Sequence, residues 1–405
     1  MTRQDPLRIS NMPLQPAKLI MASVAVVVLL VALIPTAHAQ AYSVLYNFKS
    51  GPGGIVPFDG LTLDARGNLY GTAGGDGAVA SGTVFKLDPN GKYTVLYNFT
   101  GRRGDGQSPF IGTLTRDHAG NLYGTTINGG IYSQFCIPGC GTVYKLDPHG
   151  KETILHTFTG TGGDGSQPYG GVILDSSGNL YGNATAGGTS GGGIVFKLDQ
   201  HGKETILHNF TGGADGSAPI GTLVADNHGN FYGTAGTGGA DGVGTVFKID
   251  AAGKYTLLYT FTGGADGGFP ESPLVLDPAG NLYGTTDIGG ASGFGNVFKV
   301  DTKGNETPLY NFTGGADGGS PSYAGLVRDA AGNLYGTAPT GGTKSDFGVV
   351  FKIDTTGKES VLYRFKGTDG RIPDGSLAID SHGNLYGTTT LGGAYNGGVI
   401  YKISR

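Results

Sequence analysis

Tryptophan is absent, cysteine occurs twice, methionine three times, and only 14% of the 405 residues are charged. Without tryptophan, the 21 tyrosines and 19 phenylalanines must supply every large aromatic contact. The net charge is −4 and no basic stripe exists, which excludes nucleic acid as a partner. Glycine is abundant at 79 residues, yet it follows no three-residue period, so collagen is excluded. Aromatics recurring at fixed offsets argue against a disordered chain, which would be poor in them. Beyond the first forty residues no apolar run is long enough to span a membrane. The two cysteines, Cys136 and Cys140, share one loop, QFCIPGCG, with no histidine nearby. That is a poor zinc site, and a small disulfide-closed loop in an oxidising compartment is expected instead.

The first forty residues have a different character. Arg3, Arg8 and Lys18 precede an apolar run from Leu19 to Ile34, followed by Pro35-Thr36-Ala37-His38-Ala39. A basic start, an apolar centre and an A-x-A box are the marks of a secretory signal, here cleaved after Ala39. The long leader also leaves Met12 open as the start of translation. Residues 1–39 are therefore expected to be a signal peptide, and residues 40–405 an exported, periplasmic or extracellular monomer.

What is present in quantity is repetition. GNLYG, once GNFYG, occurs seven times, with its asparagine at 68, 121, 179, 230, 281, 333 and 384. A second string, of the type GTVFKLD, follows each copy, and a third, LYNFTG, also has seven copies. Each unit of about fifty residues reads as four short strands: GLTLD, NLYGT, TVFKLD and YTVLYNF. Alternating apolar residues bounded by Asp, Asn and Gly are what half-buried antiparallel strands require. Four strands per unit, seven times over, predicts an all-β, seven-bladed β-propeller of four-stranded antiparallel blades. The order is out of phase at the ends. Tyr42 to Phe48 is a lone fourth strand, whereas the seventh unit stops after its third, at Ile403. The seventh blade is thus expected to combine residues 375–404 with strand 42–48, covering edges that would otherwise invite aggregation.

This GNLYGTT…GG…GTVFKLD…LYNFTGG unit resembles the GloVer (Gloeo/Verruco) tandem-repeat family of exported bacterial proteins, over Tyr42 to Arg405. More distantly it is similar to NHL-type propellers. The resemblance implies a propeller outside the cytoplasm and carries over no activity residue by residue. Family members often bear a C-terminal sorting segment; here the chain stops at Ser404-Arg405, which speaks against covalent anchoring at that end.

Residues repeated in every unit read as architecture. The tyrosines of GNLYG are expected between blades, and lysines such as Lys86 and Lys145 on solvated strand faces. The A–B and C–D connections are tight and uniform. The D–A and B–C loops are longer and varied, so function is assigned to their rim. His156 and His208 fall inside D strands and the other mature-chain histidines in tight turns, leaving that rim without the commonest general base. Asp105, Asp164, Asp215, Asp266, Asp317 and Asp369 form Asp-Gly pairs in D–A loops. They read as turn residues rather than calcium ligands, one carboxylate per loop being thin for calcium. No cofactor is expected.

Six residues before the aspartate ending each A strand stand Phe58, Ile111, Tyr169, Ile220, Glu271, Tyr323 and Asp374, at the mouth of the channel. Aromatics can stack on sugar faces and carboxylates accept their hydroxyls, so Phe58, Tyr169, Glu271, Tyr323 and Asp374 form the candidate ligand site. The leading expectation is a non-catalytic exported scaffold that binds carbohydrate or another envelope or protein partner. Two other readings stay open. One is a lyase- or lactonase-type propeller enzyme using acids at the mouth, which requires polar residues clustered on neighbouring blades. The other is a structural or adhesive protein, which requires a channel lined by backbone and small residues.

Overall fold

The computed structural model describes residues 40–78, 81–110, 112–132 and 136–405; the leader 1–39 and Ile111 lie outside the described residues. Residues 40–405 make one compact unit, built of seven four-stranded antiparallel sheets. In the first blade the strands, A to D, are Thr62–Leu63, Leu69–Ala73, Thr83–Leu87 and Tyr93–Asn98. The pattern recurs six times. A strands are two residues long, shorter than the sequence suggests. Successive A strands touch around the channel: Thr62 Oγ1 donates to the Leu114 carbonyl of the next blade, and Thr115 Oγ1 to that of Val172. Among the described residues no helix is long and apolar enough to cross a membrane.

Closure follows the predicted pairing. The strand Ala41–Asn47 pairs antiparallel with Val399–Ser404, with Val44 opposite Tyr401 and Tyr46 opposite Ile400. It is the outermost strand of the seventh sheet, beyond Leu385–Thr389 and Ala378–Ile379.

Blades are glued by one repeated aromatic contact. The phenylalanine ending each D strand meets, edge-on, the aromatic of the next blade's C strand. Phe99–Tyr144, Phe210–Phe247 and Phe312–Phe351 have centroids 5.0, 5.3 and 5.0 Å apart. Phe48 to Phe85, at 5.4 Å, closes the circle. All of these rings are fully buried, and each contributes about 1.5–3 kcal/mol by burial. The GNLYG tyrosines also pack between blades, Tyr70 against Leu122 and Leu146 for example. Their hydroxyls, however, close the A–B turn. Tyr70 donates to Asp64, whose carboxylate also accepts from the Arg66 and Asn68 amides. The lysines are less free than expected: Lys86 and Lys197 lie over Tyr70 and Tyr181 at 5.9 and 5.6 Å.

Candidate functional site: the channel mouth

One backbone device aims the residues of the mouth. The residue before each D–A loop proline adopts positive φ in all seven blades, although none is glycine: Val56, Ser108, Gln167, Ala218, Phe269, Ser320 and Ile372, at 51–61°. Such a conformation costs roughly 1–2 kcal/mol per residue. It persists because the residue is held from two sides. Phe269, for instance, donates its N–H to the Val243 carbonyl of the previous blade, and its own carbonyl accepts from Asp287. The following proline and site residue are thereby directed to the axis. A second latch holds the next peptide. Thr234 Oγ1 donates to the Ser272 carbonyl, Thr337 Oγ1 to Gly375 and Thr388 Oγ1 to Asp59, each across a blade boundary.

The D–A and B–C loops share one rim, as expected, pairing directly through Gly106–Gln107 with Asn128–Gly129. On it the other four candidate residues converge on Tyr323. The Phe58 ring lies 5.6 Å from that of Tyr323 and stacks on Phe110 at 4.4 Å. Tyr323 is near enough to Glu271, Asp287, Tyr169 and Asp374 for their charges, added to burial, to push its hydroxyl up to about 12. Its blade carries an extra residue, Ser322, after the proline, whose N–H turns back to the Ser320 carbonyl.

Burial dominates the electrostatics. It raises Glu271 to about 7, helped by the charge of Asp287, while the Tyr323 hydroxyl works the other way. Asp374, 7% exposed, is also raised to about 7 by burial, opposed by the Thr390 hydroxyl, which donates to its Oδ2 at 3.2 Å. Asp287 and Thr390 occupy the same register in their blades. The fifth blade thus sets two carboxyls where the seventh sets a carboxyl and a hydroxyl. Asp287 is itself raised by burial. Burial and the nearby Asp287 charge together favour the protonated form of Glu271.

Two acids escaped the sequence reading. One is Asp287. The other is Asp59, 2% exposed and raised by burial to about 8. Its Oδ1 accepts from the Gly60 amide at 2.6 Å and Thr113 Oγ1 at 3.3 Å, while its Oδ2 is buried without a hydrogen-bond partner. The repeat holds the signal for both. Positions equivalent to Asp59 are Gly112, Gly170, Gly221, Ser272, Ala324 and Gly375, and those equivalent to Asp287 are uncharged in every other blade.

The loop aspartates act as turn caps. Asp266 accepts from the Thr262 amide at 2.8 Å, Thr262 Oγ1 at 2.5 Å and Tyr259 at 2.9 Å. Asp105, Asp164, Asp215, Asp317 and Asp369 are engaged in the same manner. Cys136 and Cys140 are disulfide-bonded. His156 and His208 reach further than their strand positions suggested, their Nε2 atoms standing 3.4 and 3.0 Å from Asp164 and Asp215 of the D–A loops. The rim therefore does carry histidine, at its outer edge rather than at the channel. Open clefts lie on the opposite rim. One of about 660 Å³ is lined by Asp64, Tyr70, Lys86, Arg116, His118 and Asp147. Asp64, Tyr70, Lys86 and Asp147 belong to the repeated turns and strands, so we read this cleft as a seam of the scaffold.

No curated protein matches the chain. Among solved structures, it is similar to the extracellular domain of a B. thetaiotaomicron protein described as a one-component system, with 15% identity and a TM-score of 0.54. That match covers 90% of this chain but 42% of the other. A gluconolactonase from Xanthomonas campestris matches at 13% identity and a TM-score of 0.47, covering 92% of both chains. The first likeness speaks for the fold alone, and the second is too distant to bear on function. The sequence profile of the Gloeobacter/Verrucomicrobia repeat matches residues 137–327 and 309–405, and the chain belongs to that family.

Proposed function

We propose that the protein is an exported binding scaffold whose channel mouth takes a polyhydroxylated ligand, a carbohydrate of the cell envelope or surroundings. One observation carries this reading: Phe58, Tyr169, Glu271 and Asp374, drawn from the same register position of four other blades, gather around the Tyr323 ring. Aromatic faces at Phe58, Tyr169 and Tyr323 suit the apolar face of a sugar. Carboxyls at about 7, as at Glu271 and Asp374, offer both donors and acceptors to hydroxyls near neutral pH. The disulfide fits an oxidising compartment outside the cytoplasm. A glycan-array screen of the purified chain, with and without calcium, tests the reading. The expected result is retention by the wild type and its loss when Tyr169, Glu271, Tyr323 and Asp374 are all replaced by alanine. Unchanged retention by a folded variant refutes it.

A second reading draws support from the distribution of the acids. Glu271 and Asp287 belong to the fifth blade, Tyr323 to the sixth, Asp374 to the seventh and Asp59 to the first, so the polar groups occupy consecutive blades. That one-sided cluster, with carboxyls tuned near neutrality, is what a lyase or lactonase working by general acid–base chemistry needs. Turnover of lactones or uronate-containing oligosaccharides, abolished in Glu271→Gln, would replace the scaffold by the enzyme.

A further inference from the structure

The outer perimeter of the ring repeats a contact between the end of one D strand, the adjoining D–A loop and the first residue of the next blade's D strand. In most seams this contact is made by tyrosine. Tyr259 and Tyr310 donate to Asp266 and Asp317, both at 2.9 Å, with Glu306 and Glu359 beside them. In one seam a histidine, His208, reaches its aspartate at 3.0 Å, but the third place is taken by Tyr255, stacked on the imidazole at 4.0 Å. Only between the second and third blades does an imidazole meet two carboxylates. His156 Nε2 stands 3.4 Å from Asp164 Oδ1 and 3.7 Å from Glu204 Oε1. Among the described residues this is the one group of three metal-ligating side chains whose donor atoms all lie within 4.8 Å.

We propose that His156, Asp164 and Glu204 form a binding site for a divalent transition-metal ion, of which zinc fits best, bridging the second and third blades. The spacing supports it. Bonds of about 2.0–2.2 Å around a tetrahedral ion set neighbouring donors roughly 3.3–3.5 Å apart, close to the observed separations and long for a hydrogen bond. Glu204 Oε1 is buried and has no hydrogen-bond partner. The same oxygen is unpartnered in Glu306 and Glu359, but there the third group is a tyrosine hydroxyl, which cannot serve as a neutral donor to such an ion.

The three side chains are also held in place. The second oxygen of Asp164 accepts from the Thr159 amide at 2.7 Å and Thr159 Oγ1 at 2.8 Å. The His156 ring lies edge-on to Phe158 at 4.7 Å. Gly160, in the loop that carries Asp164, packs directly against the Cys136–Cys140 disulfide. Side-chain exposures of 15–17% leave an entry path and room for a water as fourth ligand. An imidazole in the donor set selects zinc, nickel or copper over calcium and magnesium, and because the carboxyls must be ionised, affinity rises with pH.

The test uses the full chain, without a polyhistidine tag, at pH 7.5. Calorimetric titration with Zn²⁺ should give one saturable site per chain, Co²⁺ should give the intense visible absorption of a tetrahedral complex, and Ca²⁺ should not compete. His156→Tyr installs the residue that most other seams carry and should preserve the melting temperature while weakening Zn²⁺ at least about 100-fold. Should that variant fail to fold, Glu204→Gln reads the same loss. The proposal is overturned if no ion saturates the wild type at millimolar concentration, if Ca²⁺ competes, or if a folded His156→Tyr or Glu204→Gln binds Zn²⁺ as the wild type does.

Discussion

Four glutamates begin D strands at blade seams, and together they make a prediction about stability and pH. Burial raises Glu152, Glu204, Glu306 and Glu359 each from an ordinary 4.5 to about 7. Between those values the folded chain holds protons that the unfolded chain has released, so stability must fall as pH rises from about 4.5 to 7 and level off above. A shift of that size is nominally about 3 kcal/mol per group. The carboxyls are partly solvated, and the discount for screening brings the figure to about 1 kcal/mol each, or about 4 kcal/mol for the set. For a unit of 366 residues the unfolding entropy converts this to about 5 °C in Tm. The perturbation is the fourfold Glu→Gln variant, which keeps shape and a donor but cannot ionise. Melting would be followed by calorimetry at pH 5 and pH 8, in chelator to keep the Glu204 seam free of metal. Wild type should lose about 5 °C more than the variant across that interval. Glu271, Asp287 and Asp374 contribute to the slope, and His208, whose pKa burial lowers, opposes it, but both proteins share these groups. Equal slopes would refute the assignment of neutral carboxyls to the seams.

Closure and the buried acid give two further tests. Tyr42 stacks on Tyr363 at 3.8 Å and donates to the Asp369 carbonyl at 2.6 Å, so Tyr42→Ala should cost about 3–5 kcal/mol and speed amide exchange in Val399–Ser404; unaltered exchange would show that the first strand does not hold the ring shut. Asp59→Asn should match the wild type's denaturant midpoint at about pH 3.5, where the carboxyl is protonated in the folded and unfolded chain alike, and exceed it increasingly up to about pH 8, because over that range the folded chain keeps a proton that the unfolded chain has released; a midpoint difference that does not change with pH would mean that the group is solvated.

The fold was legible because each blade carries its own punctuation. Asp64 with Asn68 closes one turn and Asp88 with Gly91 another, and seven copies leave no freedom in strand count. Closure was legible from the phase error between Tyr42 and Ile403. The site was only half legible. Counting back to Phe58, Glu271 and Asp374 works because the proline after the positive-φ residue fixes their register. Asp59, one position on, was hidden by that same count, although it stands where every other blade has glycine, serine or alanine. Asp287 stands one residue past a B strand, at a fixed distance from the GNLYG asparagine, and was passed over because only the end of the D–A loop was counted. His156 stands inside its D strand as read, but it was treated as remote from the rim, whereas its side chain reaches the loop's aspartate. Whether a D strand starts with Tyr or with Glu is plain in the sequence, but the consequence depends on the neighbouring blade, which the chain alone does not bring together.

A sevenfold scaffold places seven equivalent side chains around its axis, and a ligand that is not itself sevenfold can be oriented only where that equivalence is broken. The mouth breaks it on one side. From the fifth blade round to the first the lining is Glu271, Asp287, Tyr323, Asp374 and Phe58, while the third and fourth blades present Tyr169 and Ile220. A ring-shaped polyol lying across this mouth would turn its hydroxyls to the acids and its C–H face to Tyr169. Its affinity would then depend on both halves at once. Tyr169→Ala and Asp374→Asn should each weaken retention by about tenfold, the cost of one lost stacking or hydrogen-bonding contact. The acid half alone should also lose its hold above pH 8, where Glu271 and Asp374 no longer donate. Retention that is insensitive to pH but sensitive to Tyr169 would assign recognition to the apolar side, and the acids would then be left to chemistry rather than to binding.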